Sequence, residues 1–199
     1  RQVSMLWHEG HNLPRNQRLP LLEMAFPGLR RRPQREWISL LRLIDELVAA
    51  DGRVDVFEYA LGRLTANQIE ILLHPDRFRP GGSKTLSDLE PEILLVMGLL
   101  ARHGNLEAPT AAAAAFKAGM ADIAQGAPDS LPDLDQWPDR LDAALKRLDR
   151  LRLADKQSLV TALARCAVHD RSVVDEELEL LRVIAGLIHV PLPLAVSSG

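Results

Sequence analysis

Residues 40–61 read LLRLIDELVAADGRVDVFEYAL, in which an Asp-Gly pair and two further acids separate two apolar runs. The apolar side chains of the first run recur at the three- and four-residue spacing of one helix face: Leu40, Ile44, Leu47 and Val48. Gly52 can adopt the left-handed conformation that ends a helix. Asp55 and Glu58 have the spacing of a capping box that starts the next one. The stretch therefore predicts a helix, a corner and a second helix.

The same pattern returns at residues 159–180, which read LVTALARCAVHDRSVVDEELEL. The matching apolar positions of this second copy are Leu159, Leu163, Cys166 and Ala167. Asp170 falls opposite Asp51, and Glu177 falls opposite Glu58, whereas Arg171 replaces the glycine of the first corner. Two matched units of this kind predict a pseudo-symmetric bundle with two helix-corner-helix repeats, although the two corners need not superimpose.

The whole chain carries helical periodicity, and no stretch alternates as a strand would, which predicts an all-α fold of about eight helices. The expected helices cover residues 17–29, 33–50, 55–73, 87–102, 107–126, 139–151, 155–169 and 175–189. The spacing of Ser87 and Glu90 predicts a capping box at the start of the fourth. The alanine-rich fifth combines high helix propensity with small side chains, which let neighbouring helices approach closely.

The domain organisation follows from the composition along the chain. Residues 1–17 form a basic entry segment, residues 18–195 a single helical domain, and residues 196–199 a tail. Within the domain, the proline-rich and acidic stretch 127–138 is a linker between a first half, 18–126, and a second half, 139–195.

The charge is uneven along the chain. The net charge of −3 argues against dominant binding of nucleic acid. Residues 1–36 nevertheless contain seven Arg against three Glu. The basic cluster Arg30, Arg31, Arg32 and Arg35 is a candidate interaction surface for an acidic protein or for anionic lipid headgroups, with a solvated helix end as the plain alternative.

No catalytic group is predicted. In HEGHN, residues 8–12, the two histidines are three residues apart rather than the four that a zinc-protease helix requires. Cys166 and His169 could be imagined as nucleophile and base, but Cys166 matches the core position Leu47 and is expected to be buried. RPGGSK, residues 79–84, lacks the spacing of a phosphate loop and is expected to be a flexible loop.

The corner A-D-G-x-V-x-x-x-E, its second copy and the helical setting resemble the TerB-like helical domains. Residues 18–33, 47–64 and 162–194 further resemble the region that follows the protease domain in HtpX-type membrane-bound zinc metallopeptidases. This resemblance implies a parent chain with membrane helices and a zinc protease domain, whose catalytic residues lie outside the present sequence. The present chain would then be a non-catalytic regulatory or protein-interaction domain on the cytoplasmic face of the membrane. Its partner would be the protease domain, another protein or the membrane surface.

The resemblance also implies a second function, that of a divalent-cation-binding module acting as sensor or scaffold. TerB-like domains are associated with metal binding through acidic corner residues, and the matching positions here are Asp51, Asp55, Glu58, Asp170 and Glu177. Oxygen ligands of this kind suit Ca²⁺ or Mg²⁺. The spacing is not that of an EF-hand loop, and helix capping explains the same acids. No cofactor other than such a cation is expected in this part of the chain.

Overall fold

The computed structural model describes residues 15–29, 31–50, 55–77, 81–106, 108–123, 128, 130–169 and 175–191. This part of the chain contains eight α-helices and no β-strand, which confirms the all-α prediction and the expected helix count. The helices are α1 (Arg15–Leu29), α2 (Gln34–Ala50), α3 (Val56–Leu73), α4 (Glu90–Gly104), α5 (Pro109–Met120), α6 (Trp137–Leu148), α7 (Leu153–Ala167) and α8 (Asp175–Leu187). Two short 3-10 helices cover Pro75–Arg77 and Leu86–Leu89.

Helix α4 lies at the centre of the bundle. It packs against α5, α6, α7 and α8, so that neighbours cover most of its circumference. Its sequence from Ile93 to Ala101 is ILLVMGLLA, and all of these residues are buried except Leu94, which is partly buried. A helix that is apolar all round cannot lie at a surface without exposing one face to water, and this composition accounts for its central position.

Small side chains allow α5 and α7 to pack closely, as the alanine-rich sequence predicted. A Cβ atom added to Gly119 of α5 would lie 2.8 Å from the Cβ atom of Cys166 and 3.1 Å from the carbonyl oxygen of Ala162, both on α7. The same atom would lie 2.5 Å from the sulfur of Met97 on α4. The three helices therefore meet at Gly119 with no space for a side chain.

The starts of α3 and α4 test two capping predictions. Asp55 caps α3 as expected, because its Oδ1 atom accepts hydrogen bonds from the backbone N–H groups of Phe57, at 2.8 Å, and Glu58, at 3.3 Å. The capping box predicted at Ser87 and Glu90 is wrong. A 3-10 turn precedes α4, and Asp88 Oδ2 accepts a hydrogen bond from the backbone N–H of Thr85 at 2.8 Å.

Residues 81–84 of the RPGGSK segment pair with residues 150–152 through backbone hydrogen bonds and do not form a free loop. The backbone N–H of Gly82 donates to the carbonyl of Leu151 at 3.0 Å, and that of Lys84 donates to Arg150 at 3.1 Å. The N–H of Arg152 donates back to the carbonyl of Lys84 at 2.9 Å. This pairing also explains why α6 ends at Leu148, before the expected boundary at Leu151.

The stretch between α5 and α6 lies against the core where it is described. Leu131 and Leu134 are partly buried and pack on the core cluster. Pro132 lies on Gly98 of α4, where a Cβ atom would lie 2.7 Å from its ring. The linker residues 131–134 are therefore held by α4.

The two-repeat symmetry stays a prediction. The apolar stripe of the second copy is buried in α7, as expected for Leu159, Leu163, Cys166 and Ala167. The side chains of Ile44, Leu47 and Val48, and residues 51–54 and 170–174 of the two corners, lie outside the described part of the chain. Most of the entry segment and the whole tail also lie outside it.

We expect Gly119→Ala to lower the free energy of unfolding by about 1–3 kcal/mol, because the added methyl group meets backbone and Cβ atoms that cannot rotate away. Gly28→Ala in α1 is the matched control, since a Cβ atom there would meet no atom within 4 Å. Urea unfolding of both variants measures the difference. Equal stability of Gly119→Ala and the wild type would show that α5 and α7 do not meet closely at Gly119.

Candidate functional site

The structure describes three of the five acidic corner residues, Asp55, Glu58 and Glu177. Asp55 is half-buried at the start of α3 and uses one carboxylate oxygen to cap the helix. Glu58 is exposed on the same helix. Glu177 of α8 is buried, and its carboxylate lies against Gly104 in the last turn of α4, where a Cβ atom would lie 1.5 Å from Oε1. Asp51 and Asp170 lie outside the described residues.

The described corner acids do not come together as a metal site. Within the described residues, no three His, Cys, Asp or Glu side chains come together as a group that could hold a metal ion. Since two of the five predicted ligands lie outside that part of the chain, cation binding stays a prediction. The confirmed role of Asp55 is that of a helix cap.

Trp37 of α2 anchors the described part of the basic cluster. Its indole ring is buried, its Nε1–H donates a hydrogen bond to the carbonyl of Arg32 at 3.1 Å, and its ring lies 6.4 Å from that of Phe26 on α1. The hydrogen bond fixes the turn between α1 and α2, and the ring contact joins the two helices. The arginines of this turn are therefore attached to an ordered element.

The exposed face of α2 extends this cluster. Arg35, Ile38 and Arg42 follow one another at helical spacing, and Arg31 precedes them in the turn. We call Arg31, Arg32, Arg35, Ile38 and Arg42 the arginine surface. All five side chains are exposed, and Ile38 retains 44% of its accessible area. Arg30, the remaining predicted member, lies outside the described residues.

The charges of the arginine surface are mostly uncompensated within the described part of the chain. Arg32 lies 3.5 Å from Glu36, and this pair is well exposed. Arg31, Arg35 and Arg42 have no acidic partner among the described residues. Sequence reasoning missed Ile38 and Arg42, although their spacing from Arg35 could have shown that they share its face.

A groove of about 700 Å³ lies between the start of α3, the end of α4 and the segment before α6. One wall is the start of α3, with Asp55 and Val56, and the second is the end of α4, from Leu99 to Leu106. The third wall is the segment 131–137, which folds back onto α4. We call it the α3–α4 groove. Sequence reasoning did not predict it, because its third wall comes from a stretch interpreted as a linker.

The molecule also contains a buried polar junction that sequence reasoning missed. Lys156 of α7 has only 1% of its side chain exposed. Its ammonium group donates to Asp149 Oδ1 at 2.5 Å and to the carbonyl oxygen of Ile188 at 2.8 Å. A buried ammonium is tolerated only with such partners. One signal was available, because Lys156 continues the buried stripe of Val160, Leu163 and Ala167 at helical spacing.

The end of α8 supplies the second half of the junction. The N–H of Val190 donates to the carbonyl of Ala185 at 3.0 Å, and that of His189 donates to Gly186 at 3.2 Å, which is a Schellman motif. His189 holds its left-handed position with φ of 58°, where glycine is usual. Ile188 directly follows the last residue of α8, and its carbonyl oxygen accepts the hydrogen bond from Lys156.

Contacts of the His189 ring offset this backbone strain. Nδ1 lies 2.9 Å from Asp149 Oδ1, and Nε2 lies 3.1 Å from the side-chain nitrogen of Asn67 on α3. Burial alone would raise the pKa of Asp149, but hydrogen bonds from His189 and Lys156 outweigh it and lower that pKa below its usual range. Because an ionised carboxylate only accepts, we place the proton on Nδ1, which leaves Nε2 to accept from Asn67.

Cys166 has the environment of a core residue, as predicted. Its side chain is buried, and burial raises the pKa of the thiol to about 12. A thiol at that pKa remains protonated at neutral pH and is a poor nucleophile.

No protein-family model, curated protein or solved structure matches this chain. The likeness to TerB-like domains and to HtpX-type metallopeptidases therefore stays a prediction from the residues. Among the described helices, none combines the length and the apolar character needed to cross a bilayer.

We expect His189→Ala and His189→Gly to separate the ring contacts from the backbone strain. Both variants lose the contacts with Asp149 and Asn67, but only glycine adopts the left-handed conformation without cost. His189→Gly should therefore be more stable than His189→Ala by about 1 kcal/mol in urea unfolding. Equal stability of the two variants would contradict a left-handed backbone at this position.

Proposed function

We propose that this chain is a non-catalytic regulatory or protein-interaction domain. The observation that carries the proposal is the arginine surface. Three of its four arginines, Arg31, Arg35 and Arg42, lack an acidic partner among the described residues, and they flank an exposed isoleucine. Arginine and exposed apolar side chains are typical of protein interfaces. Uncompensated positive charge on a chain with a net charge of −3 favours an acidic partner surface.

The parent context of the proposal rests on the resemblance alone. In that context the domain belongs to a membrane-associated zinc metalloprotease, lies on the cytoplasmic face and contacts the protease domain or another protein. The anchoring of the arginines by Trp37 supports a protein partner, because an ordered surface loses less conformational entropy on binding.

We expect a photoreactive residue in place of Ile38 to form one discrete protein adduct when the full-length parent chain is expressed in its own host. Mass spectrometry of the adduct identifies the peptide in contact, either from the protease domain or from a second protein. Arg31→Gln combined with Arg35→Gln should remove most of the adduct. Lys146→Gln combined with Arg150→Gln, an equal change of charge at two exposed positions elsewhere, should not.

Two results would contradict the proposal. Adducts with lipid alone would indicate that the surface meets a membrane rather than a protein. Equal loss of the adduct in the two charge variants would show that the overall charge, and not the arginine surface, determines the contact.

A further inference from the structure

The α3–α4 groove is a second surface of the molecule, and its third wall is held in place by several contacts. Arg140 donates from Nη1 to the carbonyl oxygens of Asp133, at 2.9 Å, and Asp135, at 3.0 Å. The backbone N–H of Asp135 donates to Asp133 Oδ1 at 2.8 Å. Pro132 also packs against Gly98, so these contacts together hold the segment in place in the absence of a ligand. The groove is therefore preformed, as binding sites usually are.

The far end of this wall is anchored to α3. Tyr59 donates a hydrogen bond from its hydroxyl to the carbonyl of Pro138 at 2.8 Å. Its ring meets that of Trp137 edge-on, with centroids 5.3 Å apart. Arg63 lies over the Tyr59 ring at 5.1 Å and pairs with Asp142 of α6 at 2.9 Å. The segment that forms the third wall is therefore anchored at both ends.

The groove combines an apolar lining with acidic side chains. Leu99, Leu131, Leu134 and Trp137 supply apolar surface, and Leu106 at the edge keeps 65% of its accessible area exposed. Leu106 belongs to the lining and extends its apolar surface to the edge of the groove, and contiguous exposed apolar surface marks interaction sites.

The charged residues of the groove determine which ligand it suits. Among the described residues that line the groove, Asp55, Asp133 and Asp135 are acidic and Arg102 is basic, a sum of −2 with His103 counted as neutral. Within the described residues, the Asp135 carboxylate has no hydrogen-bond or ion-pair partner. A ligand for this groove therefore needs apolar groups and a positive charge.

We propose that the α3–α4 groove binds a short segment of another protein that carries apolar side chains next to a Lys or Arg. The apolar side chains would cover Leu131, Leu134 and Leu106, and the basic side chain would lie beside Asp133 and Asp135. Arg102 has five N–H donors and can bind carbonyl oxygens of the segment. This proposal concerns a different surface from the arginine surface, so either can fail without the other.

The test is selection from a library of random eight-residue peptides displayed on bacteria, with the wild-type chain as bait. Peptides that also bind Leu106→Lys are removed by counter-selection. Leu106 is exposed, so this substitution is compatible with folding, and it places a positive charge at the edge of the groove. Leu153→Lys is the matched control, because Leu153 is 58% exposed and lies outside the groove.

We expect the selected peptides to contain leucine-like side chains and to be enriched in Lys and Arg over Asp and Glu. Fluorescence polarisation with a selected peptide should give the same Kd for wild type and Leu153→Lys and no saturable binding for Leu106→Lys. Asp133→Asn combined with Asp135→Asn should raise the Kd about fivefold, as expected for the loss of exposed ion pairs. Asparagine can still accept the hydrogen bond that orders the segment.

Three outcomes would overturn the inference. One is a selection that yields no peptides or favours acidic ones. Another is equal loss of binding in Leu106→Lys and Leu153→Lys. The last is self-association of the wild-type chain in a sedimentation experiment, if Leu106→Lys abolishes that self-association. The groove would then bind a second copy of this chain rather than another protein.

Discussion

The buried ammonium group of Lys156 is the constraint on which the ends of α6 and α8 and the start of α7 depend. Removing a charged amine from water costs several kcal/mol unless partners compensate it. Its partners are Asp149, which follows α6, and the carbonyl of Ile188, which closes α8. The two positions are far apart in the sequence, so α6, α7 and α8 must reach their final arrangement before the ammonium group is compensated. The junction therefore favours one arrangement of the helix ends over others of similar apolar burial.

Helix α8 connects the buried junction to much of the bundle. It packs against α1, α3, α4 and α7, and its last residues connect to α3 through His189 and Asn67. The first turn of α3 forms one wall of the α3–α4 groove, and α3 also packs against α2, which carries the arginine surface. The two proposed interaction surfaces thus lie on elements that the buried junction helps to position. A domain of this kind offers ordered surfaces, which reduces the entropy lost when a partner binds.

Local patterns made much of the fold predictable, whereas long-range polar contacts did not. Apolar periodicity identified the helices, the alanine-rich stretch indicated close packing of its helix on its neighbours, and the spacing of Asp55 indicated a helix start. The junction could not be found in this way, because a lysine in a helix is ordinarily exposed and its partners are distant in sequence. The groove was missed for a related reason: a proline-rich acidic stretch has the composition of a linker, and only its contacts with Gly98, Tyr59 and Arg140 make it a wall. The metal prediction also depends on Asp51 and Asp170, which local pattern places at corners outside the described residues.

The most direct measurement is the stability of Asp149→Asn as a function of pH. Since the pKa of Asp149 is lowered in the folded state, its carboxylate stabilises the fold above the ordinary carboxyl pKa of about 4, and this stabilisation is lost as the pH falls through the lowered value. We predict that Asp149→Asn is less stable than the wild type by about 3 kcal/mol at pH 7, and that the difference shrinks below about pH 4. The exposed pair of Asp122 with Arg165 provides the control, because Asp122→Asn should cost less than about 1 kcal/mol. A loss at pH 7 no larger than that of the control would contradict the account.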